Sequence, residues 1–157
     1  MYWHFKSKEE LYSQVCDLYC VSSISAIRTM LNAPEITFAF FKQGFVDLLD
    51  SYLEDTVQID LVIDFYAEAK RSAFIHQKLL EMLRQREASL IALIDRLIEE
   101  EIIQEIDSTW TARALVSALM GLLFKYSLLK DKEVVMLEFH VFFNYFFQKK
   151  SLVLEEL

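Results

Sequence analysis

The residues of this chain able to do chemistry are few and scattered. Cys16 and Cys20 stand four apart, a spacing that puts both thiols on one helix face and would suit a redox couple or half of a metal site. No third or fourth ligand stands near them, so the pair reads as two small buried apolar residues. His76 and His140 are lone histidines, read as packed or exposed rather than as ligands. Asp60 and Asp64 are the sharpest polar candidates. A carboxylate in an apolar cavity must be paired, so it would select a cationic lipophilic ligand. Glu68 and Arg71 extend the same stripe, however, and that pattern equally suits a solvated face. Lys70, Arg71, Lys78, Arg84 and Arg86 oppose Glu81 in one basic stretch, spread around a helix as a solvated face would be. There is no Ser-His-Asp order, no metal-ligand spacing and no phosphate-cradling glycine loop. The chain therefore reads as a non-enzyme needing neither metal nor cofactor.

The elements that carry these residues follow from composition. The 157 residues are 54% hydrophobic, 14% aromatic and 25% charged, with 16 basic and 24 acidic side chains and a net charge of −8. That much apolar residue builds a full core and excludes disorder. The acidic balance argues against this chain alone gripping a phosphate backbone. Two glycines and one proline leave almost no positions for tight hairpins, which excludes all-β and doubly wound α/β folds. The apolar stretch Ala114–Phe124 is interrupted by Ser117 and Gly121 and flanked by Arg113 and Lys125, short of the roughly 20 residues a membrane span needs. No signal-peptide pattern opens the chain, and two cysteines make no disulfide framework. The reducing cytoplasm is the expected compartment, with no membrane partner.

Periodicity predicts an all-α bundle of about six helices. Ser7 with Glu10 reads as a capping box. Leu11, Val15 and Leu18 make one stripe behind it, and Cys16, Cys20, Ile24, Ile27 and Leu31 a second, ending at Asn32-Ala33-Pro34. Pro34 suits a first helical position. Phe38, Phe41, Phe45, Leu48, Leu49 and Tyr52 follow at helical spacing, with Gly44 marking a bend or a close neighbour. Val57, Leu61 and Phe65 carry a third helix, and a long one is expected from about 73 to 103. Its acidic end (Glu99, Glu100, Glu101, Glu105) sits badly with the helix dipole. Asp107 caps a helix to about 129. The last, about 133 to 149, is apolar on most of its circumference and needs cover on two sides.

The opening string Tyr2-Trp3-His4-Phe5-Lys6-Ser7-Lys8-Glu9-Glu10-Leu11 resembles the block that ends the DNA-binding region in the TetR family of bacterial transcriptional regulators. The rest of the chain resembles the family in helix order and in its apolar last pair. The resemblance implies an all-α homodimer with a C-terminal domain that binds a small effector and dimerises through its last two long helices. A family chain has roughly 40 more residues before this block, forming a helix-turn-helix. Residues 1–6 are then a remnant of the recognition helix, 7–150 the effector-binding and dimerisation domain, and 151–157 a frayed tail. Such a chain is a truncated regulator, or one whose start was placed at an internal Met.

The resemblance makes Tyr2, His4 and Lys8 the remnant of a DNA contact, and Trp3 an aromatic packed against the missing helices. Operator DNA is accordingly a partner of a full-length form only. Phe38, Phe41, Phe45, Tyr52, Asp64, Phe65, Tyr66 and Phe74 are the candidate lining of a pocket for a small lipophilic effector; plain core packing is the competing reading. Ala118, Gly121, Leu122, Phe139, Phe143 and Phe146 are the expected homodimer interface, a four-helix bundle. The function implied is that of a repressor released from its operator by the effector. The alternative is a stand-alone helical protein that pairs with a full-length regulator.

Overall fold

With so few turn residues, the helix ends are set by side chains. Ser7, Thr37, Asp55, Ser72, Asp107 and Asp131 each accept a hydrogen bond from a first-turn amide. These caps open α1 (Lys8–Leu31), α2 (Phe38–Glu54), α3 (Thr56–Ala69), α4 (Ala73–Glu99), α5 (Ser108–Leu129) and α6 (Lys132–Phe146). The computed structural model describes residues 5–148, apart from the side chains of 19–21 and 56, and among them there is no β-strand. The expected frayed tail, 151–157, lies outside the described residues.

Three details of the helix ends differ from expectation. The reciprocal bond of the first cap runs from the Lys6 amide, not the Ser7 amide, to the Glu10 carboxylate. Pro34 does not open α2; it lies in the connection, because Thr37 supplies the cap and Ile36 with Phe41 occupies the staple positions of the core. Finally, α4 stops at Glu99, short of 103. Glu101 adopts φ 58°, the Glu101 amide donates to Ile98 O and the Ile102 amide to Leu97 O, and Ile103 turns back into the core. This is a Schellman stop with glutamate where glycine is usual.

The core centres on α2 and α6. Phe41, Phe45, Phe139, Phe143 and Phe147 are buried, with the Phe41 ring 5.0 Å from Phe147 and 5.3 Å from Phe143. The Phe41–Phe147 pair is edge-to-face, a geometry that adds to the area term. Gly44 is explained by a neighbour: a methyl there would overlap the Met30 sulfur, so the glycine makes room for the Met30 side chain of α1. Tyr126 on α5 donates to the Leu53 carbonyl at 3.0 Å, tying α5 to the end of α2. Lys132 bridges Asp50 and Glu54 at 2.7 and 3.6 Å. The hydrogen bond with Asp50 holds this lysine above its ordinary value, so its exposed tie is present at neutral pH and is lost only as pH rises through the raised value.

A second, smaller cluster joins Cys16, Ile24, Phe65 and Met82, with Tyr12 edge-on to Phe65 at 5.4 Å. Cys16 is thus a buried apolar residue, while Leu11 and Leu18, expected on an inward stripe, point outward. By length and composition alone α5 could cross a membrane. In this fold one of its faces packs in the bundle through Ala112, Leu115, Val116, Leu122 and Leu123.

Truncating Phe143 to Ala should cost about 3–5 kcal/mol, read as a lowered urea midpoint with an unchanged slope. A loss below about 1 kcal/mol would mean that the aromatic cluster does not hold α6 on α2.

Candidate functional site

A small, partly open cavity of about 40 Å³ lies where α1, α2, α4 and α5 meet. Ser23 and Ile27 come from α1, Phe45, Leu48, Leu49 and Tyr52 from α2, Arg86 and Leu90 from α4, and Val116, Leu119, Met120 and Leu123 from α5. The wall is almost wholly apolar. Its polar groups are the Ser23 hydroxyl, Arg86 and the Tyr52 hydroxyl, which stands 3.5 Å from Ser22 Oγ. A crevice of about 10 Å³ adjoins Arg86 from the α3 side, between Val62, Phe65, Tyr66 and Leu83. A much larger open cleft, about 1430 Å³, runs along the outside of α1 and α4. Its rim alternates Asp17, Lys78, Glu81 and Arg84, and it faces solvent, so it lacks the apolar enclosure of a small-molecule site.

The expected pocket residues do not form one site. Phe45 and Tyr52 edge the inner cavity, and Phe65 and Tyr66 edge the adjoining crevice. Phe38 and Phe41 belong instead to the aromatic core against Phe143, because α6 fills the space on that side of α2. Asp64 is exposed, and so is Asp60, as the solvated-face reading of their stripe has it. A carboxylate in water sets no charge preference inside the protein. Phe74 is 54% exposed at the mouth of the open cleft.

Arg86, read from sequence as part of a solvated basic face, instead lines both inner spaces. The signal was present in the spacing. Arg86 stands four residues from both Met82 and Leu90, on the stripe that continues through Leu93 and Leu97.

The expected interface residues also divide. Leu122, Phe139 and Phe143 are buried within their own chain, where they serve the core. Ala118 and Phe146 are half-buried, and Gly121 is exposed, with nothing within 4 Å of a methyl placed there. No internal contact requires that glycine. The outward faces of α5 and α6 carry a different set, Phe124, Leu128, Val134, Leu137, Val141 and Tyr145, with Leu128 85% and Val141 72% exposed.

Tyr2, Trp3 and His4 lie outside the described residues. Lys8 is exposed, pairs with Glu68 on α3 at 3.2 Å and stands 5.2 Å above the Tyr12 ring. Two further polar ties hold the start of α1 to α4 and its cap: Ser72 Oγ donates to Glu9 at 2.8 Å, and Lys78 binds Asp17 at 2.7 Å and also the Ser13 hydroxyl. At the other end of α1, Arg96 on α4 donates to the carbonyls of Leu31 and Ala33, both at 2.7 Å. Both ends of α1 are therefore tied to α4 or its cap. Among the described residues no group of three or more His, Cys, Asp or Glu could hold a metal ion.

No protein-family model and no curated protein sequence matches the chain. Solved structures do match its fold. A TetR transcription regulator from Haloarcula marismortui superposes with a TM-score of 0.77 at 17% identity, over 92% of this chain and 81% of that one. A chain from Syntrophomonas wolfei assigned to the TetR family gives 0.72 at 14%, over 97% and 77%. Salmonella enterica GusR gives 0.71 at 20%, over 91% and 74%. The chain has the all-α fold of TetR-type transcriptional regulators.

Asp64→Asn should shift the urea midpoint by no more than about 0.5 kcal/mol in stability and leave ligand-induced stabilisation unaltered. A lost ligand response in this variant would return the carboxylate to the pocket.

Proposed function

We propose that the chain is the ligand-sensing and self-pairing part of a TetR-like transcriptional regulator, most simply a repressor released from operator DNA by a small effector. The observation that carries the reading is the outward apolar face of α5 and α6. Both helices already bury their inner faces, and Leu128, Leu137, Val141 and Tyr145 remain in water. A contiguous apolar surface marks an interaction site. Gly121, in the same outward face, removes a side chain where no internal neighbour demands it, and a mid-helix glycine costs about 1 kcal/mol relative to alanine. Close approach by a helix of a second copy gives that cost a reason. Packing α5 and α6 against their two-fold mates would bury the face as a four-helix bundle.

The coupling route is supported by the ties along α1. A ligand entering between α1, α2, α4 and α5 favours whichever helix arrangement makes room for it. The start of α1 is bound to α3, to α4 and to the α4 cap through Lys8, Glu9, Ser13 and Asp17, so it follows their movement. The operator-reading head of a TetR-like regulator is joined at that end. Altered spacing of two heads across a dimer weakens operator binding. The residues of this chain supply sensing and pairing, and no reaction.

The pair Leu128→Glu with Val141→Glu tests the reading. Light scattering should give twice 18.5 kDa for the parent chain and 18.5 kDa for the variant, with helical circular dichroism preserved in both. A parent monomer, or a variant that still dimerises, would overturn the assignment of this face.

A further inference from the structure

The open cleft outside α1 and α4 is too exposed for a small molecule, but it can seat a length of chain. α1 and α4 run parallel, since Lys78 meets Asp17 near their starts and Arg96 meets the Leu31 and Ala33 carbonyls near their ends. At the finishing end the cleft is bordered by Pro34 and Phe40, both exposed. It continues past Arg28 of α1 to Arg84 of α4. Further along, Lys78 is taken by Asp17 and Ser13. The Arg28 and Arg84 side chains are exposed, and among the described residues neither makes an ion pair or a hydrogen bond.

The described residues finish at the same end of the bundle. Phe147 packs on Phe41, the neighbour of Phe40, and the Gln148 carbonyl accepts from the Gln104 amide at 3.2 Å. Glu99 and Glu105 flank that amide in sequence and are exposed. The residues that follow are Lys149-Lys150-Ser151-Leu152-Val153-Leu154-Glu155-Glu156-Leu157. They run from two bases through an apolar triplet to two acids. From the same starting point the surface runs in complementary order, from Glu99 and Glu105 through Pro34 and Phe40 to Arg28 and Arg84. The reach is sufficient. Eight residues, Gln148 to Glu156, span about 26–29 Å when extended. Arg28 stands four residues before Asn32, about 6 Å along α1, and Arg84 twelve before Arg96, about 18 Å along α4. We propose that residues 149–157 strap back into this cleft, with Leu152 and Leu154 on Phe40 and Pro34 and with Glu155 and Glu156 toward Arg28 and Arg84. The strap replaces the fraying expected of these residues. It gives α1 and α4 a tie on their outer side, and it depends on neither ligand nor pairing.

Hydrogen exchange read by mass spectrometry on the whole chain tests this. Amides of 151–157 should exchange roughly tenfold or more slower than in a free peptide of residues 149–157. Arg28→Glu with Arg84→Glu should remove about two- to fivefold of that protection, the size of an exposed ion pair. Adding Glu155→Arg and Glu156→Arg should restore it. Leu152→Ser with Leu154→Ser should bring exchange to the peptide rate, because the apolar contact is lost. If the arginine pair disturbs folding by circular dichroism, Phe40→Ser gives the same reading from the other wall of the cleft. Peptide-like exchange in the parent chain overturns the strap. Protection unmoved by the cleft variants places the segment elsewhere and overturns it too. Protection that falls on dilution assigns the cleft to residues 149–157 of a second copy and overturns the strap within one chain.

Discussion

The interlocked phenylalanines between α2 and α6 are the constraint on which the rest depends. Phe41 and Phe45 from α2 meet Phe139, Phe143 and Phe147 from the last helix and its end, all buried. Once α6 is fixed there by one face, its opposite face has nowhere to go but outward. α5, held to α2 by the Tyr126–Leu53 bond and to α6 by the Lys125–Glu138 pair, is turned the same way. The apolar surface of the last two helices is thus a consequence of the core, not an addition to it. Any partner that covers this surface does so without disturbing the aromatic cluster beneath.

The same cluster decides where the inner cavity lies. It fills the α6 side of α2, and among the described residues the apolar space lined by α2 lies on its other side, toward α1, α4 and α5. That space is narrow, and Leu49, Leu90, Leu119 and Leu123 are among its walls. Arg86 of α4 also borders this space.

The ties at the ends of α1 join it to its neighbours as one unit. α1 is tied at both ends to α4 or its cap, by Lys78 and Ser72 near its start and by Arg96 at its finish. Displacing α4 or its neighbours from the cavity pulls on helix ends rather than on a flexible loop. Packed helices shift as rigid bodies between discrete arrangements.

Much of this was legible in the residues alone. Scarce glycine and proline, capping residues and 3.6-residue periodicity are local properties, and they determined the all-α class, the number of helices and most of their starts. The opening string placed the chain beside the TetR family, and the fold agrees. What periodicity could not determine was which of two apolar faces on one helix looks inward. Phe139 and Phe143 satisfy a core face and an interface equally well; only the presence of Phe41 across the gap assigns them to the core. Asp64 and Arg86 were misplaced for the same reason, since a charge shows its surroundings only when neighbouring helices are in position. Burial is a property of pairs of elements, so it was decided by tertiary packing, while helix formation, a property of neighbours in sequence, was decided before it.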